Sequence, residues 1–160
     1  MKMTRIAIML AMLASIAACQ TPLYRPVSTG PVAELTVGRA DGAKAGRLWP
    51  YLFRDAECSG RHHIGMLDHH SDDTLTTTIA ARPDTLIEFG DYDITTRTSC
   101  DVKLLFNAVE GARYKATWSR TGSQCFARLE RFVTTDGKEG WWVRDATVKR
   151  VYCDAKPSFL

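Results

Sequence analysis

The sequence lacks the features that mark several large classes of protein. Its 21 basic and 18 acidic residues leave a formal net charge of +3 over 160 residues, so it has no excess of Lys and Arg to neutralise nucleic-acid phosphates. It has no Gly-x-Ser-x-Gly, no His-Glu-x-x-His and no glycine-rich phosphate loop, the motifs of hydrolases, metalloproteases and nucleotide enzymes. No window has a convincing helical periodicity, and no apolar run reaches the roughly 20 residues of a membrane-spanning helix. We therefore expect no nucleic-acid partner and no enzymatic activity.

The first nineteen residues have the three-part order of a secretory signal. Lys2 and Arg5 make the start positive, an apolar run of about a dozen residues follows, and small residues come last. The closing sequence Ile16-Ala17-Ala18-Cys19 resembles the lipobox of bacterial lipoproteins, in which the signal is cut before the cysteine and the thiol is acylated. The resemblance implies that residues 1–18 are a lipoprotein signal peptide and that Cys19 is the lipidated first residue of the mature chain. Loss of Lys2 and Arg5 would lower the formal charge from +3 to +1.

Residues 19–31 are predicted to be a lipidated tether. They contain three prolines and no apolar period, and the twelve residues after Cys19 would reach about 40 Å if fully extended. Bacterial lipoproteins kept at the inner membrane often carry Asp directly after the lipidated cysteine, and this chain has Gln20. The resemblance therefore implies an outer-membrane lipoprotein that faces the periplasm. The membrane is one expected partner, through the lipid on Cys19, and an envelope protein or glycan is another.

The cysteines are spread widely along the chain. With Cys19 assigned to lipid, an even number remains, which an exported protein most simply joins in disulfides. Structural zinc usually draws its cysteines from close pairs, and no such pair is present. We therefore predict two disulfides among Cys58, Cys100, Cys125 and Cys153.

The predicted hairpins suggest how these cysteines pair. A turn at residues 136–140 places Cys125 within a slip or bulge of Cys153. Cys100 and Cys125 begin and end a three-strand meander, about 9.6 Å apart if the strands lie flat in one sheet, whereas bridged Cα atoms lie about 5.5 Å apart. We therefore predict that Cys58 pairs with Cys100, and Cys125 with Cys153. A sheet that folds over at its corner would instead bring Cys100 to Cys125.

Alternation of apolar and polar residues predicts an all-β protein. Pro50 indicates an edge strand or a bulge, because proline donates no hydrogen bond to a ladder. A last strand is predicted from Trp141 to about Cys153. Seven or eight strands, with turns about every ten residues, predict one antiparallel β-sandwich or small barrel over residues 32–160, behind a signal helix and the tether. The clearest strand has apolar residues at every second position, at Cys100, Val102, Leu104 and Phe106.

Two sets of motifs carry a resemblance to known families. The first is Phe53-Arg54-Asp55-Ala56-Glu57-Cys58-Ser59-Gly60, Ile79-Ala80-Ala81-Arg82-Pro83, and then Cys100, Phe106, Gly111, Tyr114 and Cys125. This set, over about half of the mature chain, resembles a group of small proteobacterial lipoproteins with a cystine-linked β domain and no assigned reaction. The second is Gly111-Ala112-Arg113-Tyr114 followed by Trp118, which is similar to the membrane-bound lysozyme-inhibitor lipoproteins, small β-barrels that block a muramidase. Residues 107–110 stand where that class has a serine-rich loop.

All four histidines lie in residues 62–70, together with nearby aspartates. Imidazole is a common ligand of zinc, copper and nickel, so this loop could hold one ion with a carboxylate completing the shell. Neighbouring residues on a strand point to opposite faces, however, so adjacent histidines are poorly spaced for a strand-built site. We predict no resident metal or cofactor and favour a solvated loop. The residues concerned are His62, His63, His69, His70, Asp68, Asp72 and Asp73.

The remaining candidates for chemistry are an acidic patch, a cysteine and the aromatic residues. Glu88, Asp91 and Asp93 are candidates for a carboxylate pair or a calcium site, but a solvated strand end is favoured. Cys58 beside the histidines resembles a thiol and its base, but a cystine is favoured in an oxidising compartment. We therefore predict no catalytic residues. Aromatic side chains could stack on sugars, anchor a partner or form the core, and either Trp141 or Trp142 should be exposed; the full set is Trp49, Tyr51, Trp118, Trp141 and Trp142.

These patterns predict a lipid-anchored protein of the cell envelope. Its expected role is non-enzymatic, as a structural or partner-binding module. Two alternatives are a periplasmic metal-binding protein that uses the His62–His70 loop, and an inhibitor or sensor of an envelope enzyme such as a lysozyme.

Overall fold

A computed structural model describes residues 21–40, 46–68, 74–93, 95–135 and 139–153. The predicted signal helix, Cys19, Gln20, His69, His70, Asp72 and Asp73 lie outside these residues. The described residues form strands and no helix, and therefore include none of sufficient length and hydropathy to cross a bilayer. The prediction of an all-β fold is confirmed. The strands are β1 (Val32–Arg39), β2 (Arg47–Leu52), β3 (His62–His63), β4 (Thr74–Ala80), β5 (Thr85–Asp93), β6 (Thr98–Phe106), β7 (Arg113–Thr121), β8 (Gln124–Val133), β9 (Trp141–Arg144) and β10 (Lys149–Val151).

The strands form two five-stranded sheets that pack face to face as a β-sandwich. Sheet A has the order β10-β6-β5-β2-β3, and sheet B has the order β4-β1-β7-β8-β9. The structure has ten strands where seven or eight were expected. The difference arises because β3, β9 and β10 contain only two to four residues and were not predicted as separate strands. All neighbours are antiparallel except β1 and β7, which pair in parallel. These two strands are far apart in the chain, so no hairpin turn constrains their direction.

Pro50 lies in a strand that is next to the edge of sheet A. The edge strand, β3, pairs only with Tyr51 and Leu52, beyond the proline. Pro50 uses its carbonyl on that side, where it accepts a hydrogen bond from the amide of Ile64 at 2.9 Å. Pro50 therefore lies in the strand next to the edge strand, and not in the edge strand itself as predicted. Its lack of an amide donor interrupts no hydrogen bond between β2 and β3.

The core lies between the inward faces of the two sheets. In β1, β2, β6 and β7, alternate residues point inward, as the period of two requires, and most of them are almost completely buried. Trp118 is part of this core, which assigns it to packing. The Tyr114 hydroxyl donates to the carbonyl of Asn107 at 3.1 Å and accepts from the amide of Val109 at 3.0 Å, so its polar atom is satisfied inside the core. The largest of the buried side chains are Trp118, Tyr114, Phe89, Phe106 and Leu35.

Four cysteines form two disulfides, as predicted, but the predicted pairing is wrong. Cys58 is bonded to Cys153 and Cys100 to Cys125, with Cα separations of 6.0 and 6.1 Å. The prediction assumed that β6, β7 and β8 lie flat in one sheet. The chain instead crosses from sheet A to sheet B between β6 and β7, so β8 lies opposite β6 and Cys100 faces Cys125. The alternative pairing of Cys100 with Cys125 is the one that the structure contains, through a crossover between two sheets rather than a folded-over sheet.

A break in the predicted last strand explains why Cys153 is not near Cys125. The β8–β9 hairpin has the expected position, with Val133 opposite Trp141. Buried Asp145 then accepts hydrogen bonds from the amide of Thr147 at 2.8 Å and from its hydroxyl, which turns the chain. The following residues cross to sheet A and pair with β6 as β10. Cys153 is thereby carried to the other sheet.

The segment predicted as a tether is attached to the sandwich from Pro22. The carbonyl of Pro22 accepts from the amide of His63 at 2.9 Å, and the amide of Tyr24 donates to the carbonyl of His63 at 2.7 Å. The amide of Val27 and the hydroxyl of Tyr24 both donate to the carbonyl of Thr78, at 3.2 and 3.0 Å. The segment therefore joins β3 of sheet A to β4 of sheet B and bridges this side of the sandwich, where a cavity of about 190 Å³ remains beside Tyr24 and Val27. We refer to this side as the β3/β4 side.

Candidate functional site

His62 and His63 are the two histidines within the described residues. They form β3, in which His62 is opposite Leu52 and His63 is opposite Tyr51. The ring of His63 lies 5.2 Å from the ring of Tyr51, and its partial burial, together with the positive charge of Arg61, lowers its pKa. Among the described residues, no group of three His, Cys, Asp or Glu side chains has a metal-binding arrangement. The two imidazoles occupy opposite faces, as expected for neighbours in a strand.

Glu88 lies on the outward face of sheet A. Its carboxylate is held between Arg61, at 2.5 Å, and Lys103, at 3.2 Å, and only 6% of its side chain is exposed. The guanidinium group of Arg61 also stacks 3.6 Å from the centre of the Tyr51 ring. The register explains this cluster, because Tyr51, Glu88 and Lys103 are direct neighbours across three strands. Both carboxylate oxygens of Glu88 are thus engaged in ion pairs that stabilise the sheet.

Asp91 and Asp93 occupy environments different from that of Glu88. Asp91 points inward and pairs with Arg120 at 2.9 Å; burial raises its pKa, and the hydrogen bond and charge of Arg120 oppose this shift. Asp93 lies at the strand end, where hydrogen bonds from Thr96 and Thr95 lower its pKa. The strand places Glu88 and Asp91 on opposite faces. Glu88 and Asp91 therefore do not form a carboxylate pair.

The candidate aromatic residues are divided between the core and two surfaces. Trp141 is 48% exposed, whereas Trp142 packs against Phe132 with 5.2 Å between ring centres. The expectation that one of the two is exposed is confirmed. Trp49 and Tyr51 lie half-buried in β2. The exposed aromatic surface at Trp141 is small and lies at an edge of sheet B.

A cleft of about 520 Å³ opens between the two sheets on the side opposite the β3/β4 side. We call it the arginine cleft. Its floor consists of apolar side chains from the inward faces of β6 and β8, and its mouth carries three guanidinium groups. This volume is within the range of about 300–1,000 Å³ that is typical of ligand sites. The lining residues are Val102, Leu104, Phe126, Ala127, Arg128, Leu129, Arg144, Val148 and Arg150.

Short edge strands create the arginine cleft. β9 covers only residues 130–133 of β8, and β10 covers only residues 103–105 of β6. The remaining parts of these two strands face each other across a gap at the edge of the sandwich. The Cys100–Cys125 disulfide joins β6 to β8 at one end of the gap. The crossover after Asp145 spans the other end. The amide of Asp145 donates to the carbonyl of Leu129 at 3.1 Å and holds the start of this crossover in place.

The charges at the mouth of the cleft are only partly compensated. Arg128 forms an ion pair with Glu130 at 2.8 Å. Arg144 and Arg150 have no carboxylate within ion-pair distance in the part of the chain that the structure describes. Arg150 is the ladder partner of Leu104, so it occupies an inward register position beside the cleft. The residues that line it include no acid, hydroxyl, thiol or imidazole side chain.

The sequence interpretation missed this cleft because it treated residues 141–153 as one strand. In one strand, Arg144 and Arg150 would lie on one face but about 20 Å apart. The turn at Asp145 and Thr147 brings them to the same opening from different sheets. An Asp followed two residues later by Thr is a sequence signal for such a turn and could have indicated the break.

Comparison of the chain with protein-family models, curated proteins and solved structures finds no match.

Proposed function

We propose that the protein is a lipid-anchored outer-membrane protein that faces the periplasm and binds a ligand without transforming it. The observation that carries the binding role is the arginine cleft, a preformed opening whose lining has apolar and cationic groups but no catalytic ones. The committed ion pairs of Glu88 and Asp91 support a role without catalysis. The two disulfides are consistent with an oxidising location outside the cytoplasm.

The attachment of Pro22 to the sandwich supports an anchor that holds the domain close to the membrane. If Cys19 carries lipid, three peptide steps separate it from Pro22, a reach of about 10 Å. This reach is much less than the 40 Å of a free tether. The β3/β4 side therefore lies nearest to the membrane in this proposal, and the arginine cleft opens on the side away from the anchor.

Replacement of the anchor residue tests the location. Cys19→Ser, expressed as the full chain in a host with two membranes, should retain residues 1–18 and lack covalent lipid. The intact mass of the denatured protein measures both properties, and fractionation of the envelope measures membrane attachment.

A double variant of the other cysteines is the matched control. Cys58→Ser with Cys153→Ser loses a disulfide, but any of this protein that is recovered should be cleaved and acylated like the wild type. If the Cys19→Ser protein is itself cleaved and carries lipid, the lipoprotein proposal is wrong.

A further inference from the structure

We propose that the outward face of sheet A, along its β2–β3 edge, lies against the bilayer in which the lipid on Cys19 is inserted. This inference rests on the proposed lipid anchor, and it adds the surface of the domain that touches phospholipid. It does not depend on the arginine cleft, which opens on the opposite side. We call this region the membrane-contact surface, and its residues are Leu23, Arg25, Arg47, Trp49, Met66 and Tyr92.

Leu23 is placed on the outward face of sheet A by the register of the strands. It forms a parallel bridge with His63, His63 is opposite Tyr51, and Tyr51 is opposite Glu88. Residues that pair across a sheet point to the same face, so Leu23 extends the outward row that contains the ion-paired Glu88. Leu23 is 67% exposed. An apolar side chain therefore projects into solvent close to the point where the chain leads back to Cys19.

Met66 lies at the same edge of sheet A. The residue after it, Leu67, points into the core opposite Leu48, and successive residues of an extended chain point to opposite sides. Met66 therefore points away from the core, and it is 40% exposed. It comes three residues after His63, about 10 Å along the edge from the bridge with Leu23. The edge thus presents two separate apolar side chains to solvent.

Aromatic side chains continue this surface across β2 and β5. Trp49 lies two residues from Tyr51, so it shares the outward face, and it is half-buried. Tyr92 is opposite Arg47, which is on the same face of β2, and is 41% exposed. Tryptophan and tyrosine concentrate at the head-group level of a bilayer, because their rings are apolar and carry one polar atom. The composition of this face therefore suits a membrane interface.

The anchor determines which part of the domain meets the bilayer. Cys19 is three peptide steps from Pro22, and the amide of His63 donates to the carbonyl of Pro22 at 2.9 Å. The edge of sheet A is therefore held within about 10 Å of the lipidated residue. Arg25 and Arg47 are exposed, and neither has a carboxylate within ion-pair distance among the described residues. Their guanidinium groups are free to pair with lipid phosphates.

Oxidation of Met66 tests this contact. The other four methionines precede Cys19, so Met66 is the one methionine of the cleaved chain, and its sulfoxide adds one oxygen to the intact mass. The full chain is expressed in a host with two membranes, and the processed protein is inserted into vesicles of phosphatidylethanolamine and phosphatidylglycerol. Peroxymonosulfate, a charged oxidant that stays in water, is then added. Scattered apolar side chains also occur on proteins that touch no membrane, and in that case the vesicle would give Met66 no protection.

A double variant removes one apolar and one cationic contact. In Leu23→Ser with Arg47→Gln, Met66 should be oxidised on vesicles about tenfold faster than in the wild type, because the apolar burial that holds the face on the bilayer is lost. Both side chains are exposed, so the fold should be retained. The matched control is Trp141→Ser with Lys115→Gln, which removes an exposed ring and an exposed cation from sheet B and should leave the rate unchanged.

Quenching of tryptophan fluorescence by brominated phospholipid is a second measurement. Trp118, Trp141 and Trp142 belong to sheet B, so Trp49 is the one tryptophan of sheet A. Phospholipid with bromine near the head group should quench part of the fluorescence of the wild type. The same vesicles should not quench the fluorescence of Trp49→Phe.

The proposal is overturned if the Leu23 and Arg47 double variant is oxidised at the wild-type rate, or if Trp49→Phe keeps the quenching. Retention of both disulfides and a wild-type circular dichroism spectrum show that a variant is folded. Covalent lipid on Cys19 is read separately from the denatured mass. Lipid on Cys19 with equal oxidation rates refutes the contact surface alone, whereas absence of lipid refutes the anchor and, with it, this inference.

Discussion

The two lateral sides of the sandwich, where the edge strands of the sheets face each other, are covered to different extents. On the β3/β4 side, Pro22, Tyr24 and Val27 hydrogen-bond to both sheets and bridge the gap, leaving a cavity of about 190 Å³. On the opposite side, β9 and β10 are too short to cover β8 and β6, and the arginine cleft remains. A segment of six residues is sufficient to bridge one side. The open state of the other side is therefore a property of this fold, and not a general requirement of two stacked sheets.

The arginines show the same contrast. Arg120, in the interior, is 9% exposed and is paired with Asp91 next to the Cys100–Cys125 disulfide. Arg144 and Arg150, at the mouth of the cleft, have no carboxylate partner among the described residues. Buried cations need a partner to offset their desolvation, whereas cations at an opening remain hydrated until an anion arrives. The first arrangement stabilises the fold, whereas the second leaves two exposed cations at the surface.

The disulfides are expected to give the largest effects. Loss of the Cys58–Cys153 bond, which closes 95 residues, should lower the free energy of unfolding by about 4.7 kcal/mol, and loss of the Cys100–Cys125 bond, which closes 25, by about 3.5 kcal/mol. Paired Cys→Ser variants and chemical denaturation measure both values. Only loss of Cys100–Cys125 should also weaken ligand binding at the arginine cleft, because that bond forms one end of the cleft. Equal loss of binding in both variants would contradict this distinction.

Substitution of the interior arginine should have the next largest effect. Arg120→Gln leaves the buried Asp91 carboxylate without its cation and should lower the free energy of unfolding by about 3 kcal/mol. Arg144→Gln with Arg150→Gln should change it by less than about 0.5 kcal/mol, because these groups make no ion pair among the described residues. Urea denaturation of the three proteins measures the difference. A large loss in the double variant would assign the cleft arginines to stability.

Substitutions on the two sides of the sandwich should differ by a smaller amount in the free energy of unfolding that they cost. Tyr24→Ala removes a half-buried ring and the hydrogen bond to Thr78, and should cost about 2 kcal/mol. Phe126→Ala removes an exposed ring at the cleft and should cost less than about 0.5 kcal/mol. Thermal unfolding of both variants measures this contrast. Similar losses would show that the cleft side is as tightly packed as the β3/β4 side.

The smallest expected effect is the dependence of stability on pH that Asp91 and Asp93 produce. The pKa of Asp91 is raised in the folded protein, so its contribution to stability is present below the ordinary pKa and is lost as the pH rises through the folded value. The stability of the wild type relative to Asp91→Asn should therefore fall as the pH rises from about 3 to 7. Asp93 has a lowered pKa, so the stability of the wild type relative to Asp93→Asn should rise over the same range. Denaturation at several pH values measures both slopes, and slopes of equal sign would contradict the assigned environments.

Local patterns were sufficient to predict the class of fold and the use of four cysteines. The alternation that ends at Phe106 is the alternation of β6, and Val133 and Trp141 flank the predicted hairpin turn. These features depend on neighbouring residues, because strand period and turn chemistry act over a few positions. The lipid on Cys19 remains a prediction from the sequence.

The long-range pairings were decided by the tertiary structure. Which sheet receives the chain after Phe106 or after Arg144 depends on how two apolar faces pack, and strand alternation is the same in either sheet. The cysteine pairing followed from the first of these crossings. The placement of Arg144 and Arg150 beside one opening followed from the second, and with it the arginine cleft. The residues that form the strands could thus be predicted from the alternation of apolar and polar residues along the chain. The opening between the sheets depends on where the chain changes from one sheet to the other.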